Sequence, residues 1–280
     1  MKNHFALCLA VLGGAMGLMA PVSAEAAVVG YYTGDNCYGN ADGPTITAAG
    51  HTAVPVATMN AVSLVGLEIL VINSCFATPN ADVAAAVNNG MVLVWHAQSV
   101  STTGLPGSPG LVAVGSGGAD VDFPAGSPVI SGPGGTLTNT SLDGGRSSTH
   151  GYVQSTSLPV GAFAAATQAS PANVVTLAYG HGAGGVVYST IPLGCYLPGG
   201  NCVGNVAAAG MQAYFSNVLN WAANGLEVGP VTTCASEGFT GTKLIWCQNI
   251  CEQGYTGALL DAWIHRWTTR YRALPYCAVE

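Results

Sequence analysis

Met91-Val92-Leu93-Val94-Trp95 is an uninterrupted apolar run, and a second largely apolar run covers residues 67–72. Between the two runs, residues 82–88 carry alanine and valine at helical spacing, and Asn89-Gly90 follows as a stop signal for a helix. Strands that are apolar throughout and separated by helices are typical of a parallel sheet covered on both faces. The sequence therefore predicts an α/β protein with three layers and a mostly parallel, doubly wound sheet.

Further strands and a long helix are predicted on either side of this unit. Residues 28–32 and 52–56 are short β-rich runs near the start of the chain. Later, residues 174–179 and 185–191 are predicted as a strand pair joined by the glycine-rich residues 180–184, and residues 205–223 as an amphipathic helix. The region 28–223 thus supplies one sizeable core.

The middle of the chain, about 101–170, is rich in glycine, serine, threonine and proline and lacks helical periodicity. Scattered apolar residues, such as Val121, Phe123 and Val129, give it something to bury. We therefore expect an insertion of short strands and loops rather than a disordered linker.

The first residues are typical of a cleavable signal peptide. Lys2 provides the positive charge, residues 5–19 provide the apolar segment, and Ala24-Glu25-Ala26 provides the small residues that a signal peptidase recognises. We expect cleavage after Ala26, with Ala24 as the alternative, and no transmembrane segment in the mature chain. The protein is therefore expected to be exported, to the periplasm, the cell surface or the extracellular medium.

Removal of Cys8 with the leader leaves an even number of cysteines, which favours disulfide bonds in an oxidising compartment. Spacing alone does not give the connectivity; local pairs, Cys195 with Cys202 and Cys37 with Cys75, are the simplest. The cysteines expected in disulfides are Cys37, Cys75, Cys195, Cys202, Cys234, Cys247, Cys251 and Cys277. A zinc site is disfavoured because there are no Cys-x-x-Cys pairs.

Charge is scarce in this sequence: charged residues make up 7% of the chain, and the net charge is −7. Arg146 is the only lysine or arginine between residues 27 and 230. Nucleic acids and anionic membrane surfaces need clustered basic residues, so both are disfavoured as partners. No Walker loop or dinucleotide fingerprint follows the first strand, and we expect no cofactor.

The order of motifs over residues 28–223 resembles the class I glutamine amidotransferase-like superfamily, and within it the ThuA-like branch linked to trehalose utilisation. The similarity rests on the helix ending in Asn89-Gly90, the strand 91–96, the hairpin around Tyr179-Gly180-His181-Gly182, and the closing helix with Asn217 and Trp221. The resemblance implies a flavodoxin-like, amidotransferase-like α/β fold.

The sequence departs from the catalytic members of that superfamily. Where they carry a Gly-x-Cys-x-Gly elbow, this chain has Trp95-His96-Ala97-Gln98, and the His-x-Glu pair of their triad is also missing. Glutaminase chemistry is therefore not expected. A serine nucleophile elbow is not evident either, because the near matches lie in the glycine-rich insertion.

Polar residues at the carboxyl ends of the strands define the candidate site, because open α/β sheets bind ligands there. His96 is the candidate catalytic residue, and the candidate ligand-binding residues are Asn73, Ser74, Gln98 and His181. His150 lies in a second glycine-bordered loop, and Asp35 and Asp42 are expected in the loop after the first strand. The alternative for His96 and His181 is a purely structural role.

The last fifty residues differ from the rest in holding four of the six lysines and arginines together with four cysteines. Helices are predicted around Trp246 and over 258–272, and disulfides would staple them. This tail resembles the Cys-Trp-Arg tails of otherwise unrelated exported bacterial proteins, which implies a role in attachment or sorting; the alternative is a stabilising cap that packs against the main domain. The predicted domains are a signal peptide (1–26), an α/β domain (27–229) and a Cys-rich helical module (230–280).

Three functions remain open at this point. The first is a noncatalytic or structural exported protein that binds a small polar ligand. The second is a secreted hydrolase or carbohydrate-active enzyme that uses His96. The third is a surface or assembly protein that docks on a cell-envelope component through residues 230–280.

Overall fold

The structure is a computed structural model that describes residues 26–35, 38, 42–226, 234, 238–251, 257–271 and 274–275. Most of the predicted leader, and the cysteines Cys37 and Cys277, lie outside these residues. None of the described helices is long and apolar enough to cross a membrane.

Eleven strands and five α-helices are present in the described part of the chain. The strands are β1 Val28–Tyr32, β2 Thr52–Val56, β3 Ile69–Ser74, β4 Val92–Ala97, β5 Ala113–Val114, β6 Ser131–Gly132, β7 Gly135–Thr136, β8 Tyr152–Gln154, β9 Phe163–Thr167, β10 Asn173–His181 and β11 Gly184–Ser189. The helices are α1 Asp42–Ala48, α2 Ala81–Asn88, α3 Ala208–Ala223, α4 Gly241–Cys251 and α5 Gly257–Thr268.

One large sheet organises the described residues, in the order β2-β1-β3-β4-β11-β10-β8-β5, with β9 also paired to β10. The first five strands in this order are parallel, and the remaining pairings are antiparallel. At the centre, Leu93 pairs with Leu70 on one side and with Val186 on the other. The predicted α/β fold with a mostly parallel sheet is confirmed.

Helices and loops cover both faces of this sheet, which explains why the central strands are apolar throughout. Val94 faces α1 and α3, where Ile46 and Phe215 join the same buried cluster. Leu93 faces the other way and joins Val83 of α2. Each fully buried side chain of this kind stabilises the fold by about 1.5–3 kcal/mol.

The insertion forms part of this architecture rather than a separate lobe. Its strands β8 and β9 both pair with β10 and extend the main sheet, while Val121 and Phe123 join the buried cluster beneath α3. The insertion is also fixed by Asn217 of α3, which is fully buried. Asn217 Oδ1 accepts a hydrogen bond from Gly134 N at 2.9 Å, and its Nδ2 donates to Val129 O at 2.9 Å and to Gly135 O at 3.0 Å.

Several predicted boundaries shift in the structure. The strand predicted over 67–72 is β3, Ile69–Ser74, and the strand predicted over 91–95 is β4, Val92–Ala97. The helix predicted from residue 205 begins at Ala208, because Asn205 Oδ1 accepts the hydrogen bond of Ala207 N at 2.9 Å ahead of the first turn. His96 is therefore inside its strand and not at the strand end.

The expectation that Asp42 lies in a loop is wrong, because Asp42 begins the short helix α1. Pro44 falls in the first turn, where the backbone N–H groups have no intrahelical partner and proline is tolerated. Asp42 is buried, and its Oδ1 accepts a hydrogen bond from Asn73 Nδ2 at 2.8 Å. This contact joins α1 to the end of β3.

Helices α4 and α5 share a core of their own, made of Cys234, Cys247, Ile250 and Trp267. The disulfide Cys234–Cys247 lies in this core, and Cys195–Cys202 closes the loop that was predicted for it. Cys75 and Cys251 are also disulfide-bonded. The partner predicted for Cys75, Cys37, lies outside the described residues.

Candidate functional site

Loops that follow β1, β4 and β11 meet the insertion around a cavity of about 610 Å³. Because β4 and β11 are parallel neighbours, this cavity lies at the carboxyl edge of the sheet, where α/β proteins bind ligands. Its volume falls in the usual range for small-molecule sites. The cavity is lined by Tyr38, Gln98, Arg146, Ser147, His150, Pro192, Cys195, Tyr196, Asn201, Cys202, Gly204 and Asn205.

His150 is held in this cavity by the two strands beneath it. Its backbone N donates to Thr190 O at 3.0 Å, just beyond β11, and its Nδ1 lies 2.8 Å from Gln98 O, just beyond β4. A carbonyl oxygen only accepts, so Nδ1 carries the proton of the neutral ring. Nε2 is then the nitrogen with a free lone pair, and a ligand hydroxyl can donate to it.

Two tyrosines form the neutral polar part of the lining. Burial raises the pKa of Tyr38, against the opposing effect of its hydrogen bond with the Gln98 side chain. Burial likewise raises the pKa of Tyr196, whose hydroxyl donates to Ser147 O at 2.9 Å. Both hydroxyls therefore remain protonated near neutral pH and act as hydrogen-bonding groups rather than as anions.

Arg146 supplies the positive charge of the cavity. It is exposed, and it forms no salt bridge with any described residue. The neighbouring residue, Gly145, lets the backbone lie against the Tyr196 hydroxyl, because a Cβ at that position would be 2.5 Å from the hydroxyl oxygen. The guanidinium group is thus available to an anion that enters the cavity.

His96, the predicted catalytic residue, does not line this cavity. It is 2% exposed and packs edge-on against Tyr214 and Phe215 of α3, with ring centroids 5.9 and 6.1 Å away. Neither of its ring nitrogens has a hydrogen-bond partner among the described residues. Desolvation by burial lowers the pKa of His96 to about 3, so the ring is neutral at physiological pH.

Asn73 and Ser74, predicted as ligand-binding residues, are buried and bond within the protein through Asn73 Nδ2 and Ser74 Oγ, whereas Asn73 Oδ1 has no hydrogen-bond partner among the described residues. Besides the bond from Asn73 to Asp42, Ser74 Oγ donates to Asp35 Oδ2 at 2.7 Å and accepts from Ala77 N at 2.8 Å. Asp35 thereby fastens the loop that follows β3. Of the predicted group at this edge, Gln98 is the residue that lines the cavity.

His181, the last predicted ligand-binding residue, lies at the opposite edge of the sheet. It ends β10 and pairs with Gly184, next to the pairing of Gly185 with Val92 at the start of β4. Its Nδ1 would be 2.8 Å from a Cβ at Gly107, so it packs against the insertion. The structure therefore does not bring His181 together with Gln98.

A second cavity, of about 600 Å³, lies at this amino edge, but its lining offers less chemistry. Alanine, leucine, valine, isoleucine and methionine provide most of it. Of its two carboxylates, Glu68 already accepts a hydrogen bond from Val28 N at 2.6 Å, and Asp82 from Ala61 N at 3.2 Å. The carboxyl-edge cavity is the stronger candidate because it combines a cation, an imidazole and several amides.

One group of three metal-ligand side chains lies close together in the described part of the chain. The Sγ atoms of Cys234, Cys247 and Cys251 are within 4.8 Å of one another. All three cysteines are disulfide-bonded, and a sulfur in a disulfide is not the thiolate that binds zinc. The cluster is therefore a structural staple.

No protein-family model matches this chain, and no curated protein sequence matches it. Solved structures similar to it include a cytoplasmic protein of Salmonella typhimurium, 10% identical with a TM-score of 0.43, which covers 70% of this chain and 98% of its own. A Thermoplasma acidophilum protein named for one of the GMP synthase subunits is 12% identical with a TM-score of 0.42, covering 71% and 96%. A ThuA-like protein of Bacteroides uniformis is 10% identical with a TM-score of 0.41, covering 72% and 95%.

Proposed function

We propose that this is an exported protein whose α/β domain binds a small polar ligand, without transforming it, in the carboxyl-edge cavity. The observation that carries the proposal is the placement of His150. Gln98 O, after β4, fixes its ring through Nδ1, and Thr190 O, after β11, fixes its backbone N, which leaves Nε2 for a ligand. Gln98 and Tyr38 add an amide and a hydroxyl to the same lining.

The lining supports binding rather than covalent catalysis. Its two cysteines, Cys195 and Cys202, are joined in a disulfide. Its serine, Ser147, donates its hydroxyl proton to Thr149 O at 2.9 Å and not to a histidine. Nucleophilic catalysis needs a nucleophile that is hydrogen-bonded to a general base. The described residues of the lining include no such pair.

The alternative of a hydrolase that uses His96 finds less support. A catalytic group must come within hydrogen-bond reach of its substrate. The His96 ring is covered by α3 and has almost no exposed surface. A catalytic version of this protein would more readily use His150.

Export fits the disulfide bonds of the described residues. Cys195–Cys202 and Cys234–Cys247 are compatible with an oxidising compartment. Cleavage after Ala26 and the boundary near residue 229 between the α/β domain and the C-terminal module are further parts of the proposal.

The binding site can be tested by a thermal-shift screen of sugars, organic acids and amino acids. A ligand that binds the folded state raises the melting temperature by mass action. We expect at least one ligand to bind His150→Gln about five- to thirtyfold more weakly, because loss of one hydrogen bond to a ligand costs about 1–2 kcal/mol. His265→Gln, on the exposed side of α5, is the matched control and should bind like the unmodified protein. Equal affinity in all three proteins would refute the site.

A second candidate function, docking on an anionic component of the cell envelope, rests on the cations of α4 and α5. Lys243 lies 3.9 Å from the centroid of the Phe239 ring, Arg266 lies 4.8 Å from Trp263, and Arg270 lies 5.8 Å from Trp246. Aromatic rings that carry basic groups are suited to anionic surfaces.

This docking can be tested in the full-length chain by changing Lys243, Arg266 and Arg270 together to glutamine. We expect most of the protein to move from the envelope fraction to the unbound fraction, because three of the four basic side chains of the module lose their charge. Arg146→Gln, which removes a cation outside the module, should leave the distribution unchanged. If the triple variant fractionates like the original chain, these cations do not dock it.

A further inference from the structure

We infer that the ligand of the carboxyl-edge cavity is a polyhydroxy acid with a single carboxylate, such as a uronic or aldonic acid. The inference rests on the proposed binding function and adds the class of ligand. It depends on two features of the lining: one cation without a protein partner among the described residues, and a surrounding set of neutral hydrogen-bonding groups.

The charge of the ligand follows from Arg146. This residue is the only lysine or arginine between residues 27 and 230, in a chain with a net charge of −7. It lines the cavity and has no salt bridge with a described residue. The described lining contains no aspartate or glutamate that could neutralise it. A guanidinium group pairs best with a planar carboxylate, through two parallel hydrogen bonds.

A phosphate is a poorer match than a carboxylate. It carries close to two negative charges, and phosphate sites usually add a second cation or the free N–H groups of a helix N-terminus. Among the described residues of the lining, Arg146 is the only arginine or lysine. At the start of α3, Ala207 N and Ala208 N already donate to Asn205 Oδ1 and Asn205 O.

The neutral polar residues of the lining indicate that the ligand carries several hydroxyl groups. Gln98, Asn201 and Asn205 provide amides, which can donate and accept, and the free Nε2 of His150 accepts from an O–H group. Pro192 and the Cys195–Cys202 disulfide offer apolar surface to the C–H face of a carbon chain or ring. A simple fatty acid would leave these polar groups unpaired, at a cost that selects against it.

The test compares matched pairs of probes that differ by one carboxylate, by titration calorimetry on the unmodified full chain. The pairs are D-galacturonate with D-galactose, D-glucuronate with D-glucose, and D-gluconate with sorbitol. We expect at least one acid to bind ten or more times tighter than its neutral partner. In Arg146→Gln this preference should disappear, and Arg146→Lys should retain only part of it, since lysine keeps the charge but not the paired geometry.

The outcomes separate this inference from the binding function itself. Equal binding of acid and neutral partner, or a preference that persists in Arg146→Gln, would overturn the inference. Failure of all the acids to bind would overturn it as well. In each case the binding function would stand if any ligand loses affinity in His150→Gln. The urea midpoint of each variant should match that of the original chain, because Arg146 is exposed and packs into no core cluster of the described residues.

Discussion

The stability of this protein should fall more steeply with acid in the original chain than in His96→Leu. The His96 ring is buried, and its pKa in the folded state is lowered to about 3. In the unfolded chain an ordinary histidine has a pKa of about 6.5. Below pH 6.5 the histidine binds a proton in the unfolded state but stays neutral in the folded state. The free energy of unfolding therefore decreases as the pH falls from about 6.5 towards 3.

The expected size of this effect is large for one residue. Each pH unit in the window changes the stability by about 1.4 kcal/mol, so unfolding at pH 4.5 should show roughly 3 kcal/mol of loss due to His96. Urea unfolding of both proteins at pH 7.5 and pH 4.5 measures it. Burial also lowers the pKa of His51, but that contribution is present in both proteins and cancels.

At pH 7.5 the variant should be at least as stable as the original chain. Both nitrogens of the His96 ring are buried without hydrogen-bond partners among the described residues, and an apolar side chain of similar size removes that cost. His265→Gln, at an exposed position, serves as the control and should keep the original pH dependence. The same acid sensitivity in His96→Leu as in the original chain would show that His96 is not a buried neutral residue.

Asn217→Ala should lower the free energy of unfolding by about 2–4 kcal/mol. The substitution removes the partner of three backbone groups: Val129 O in a buried hydrogen bond, and Gly134 N and Gly135 O in part-buried ones. A buried, unpaired group costs about 1–3 kcal/mol, and the two part-buried groups add less because water can reach them. Urea unfolding at pH 7.5 gives the number.

The matched control for this substitution is Asn220→Ala, one turn further along α3. Asn220 is half-buried, and its side chain has no such set of partners among the described residues. We expect a change within about 0.5 kcal/mol, as for other surface substitutions. If both variants lose the same stability, Asn217 does not hold the insertion against α3.

The parallel sheet was predictable because the sequence of its central strands shows directly that both faces are buried. The runs that became β3 and β4 are apolar throughout, and only strands covered on both faces need that. Helix α1 was missed because it has only seven residues, with Gly43 and Pro44 in its first turn. Those residue types normally predict a turn, and tertiary contacts such as that of Asp42 with Asn73 overrode the local preference.

The sequence pointed to the edge of the sheet where the candidate cavity lies, but not to most of the residues that line it. The rule that ligands bind beyond the carboxyl ends of strands led to Gln98, which does line the cavity. The same rule led to His96, which lies inside β4 and not beyond its end. The sequence does not show whether the strand ends before or after this residue. Tyr38 and Asn205 come from loops far apart in the chain, and their meeting depends on the fold. The signal that could have found Arg146 was its isolation as a lone cation.

The most direct test of the central claim is an NMR titration of the histidine rings in protein labelled with ¹³C-histidine. A ligand that raises the melting temperature should shift the ring resonances of His150, which lines the cavity, and leave those of buried His96 and distant His181 unchanged. A ligand that shifts His96 or His181 and leaves His150 where it was would contradict the placement of the binding site at the carboxyl edge.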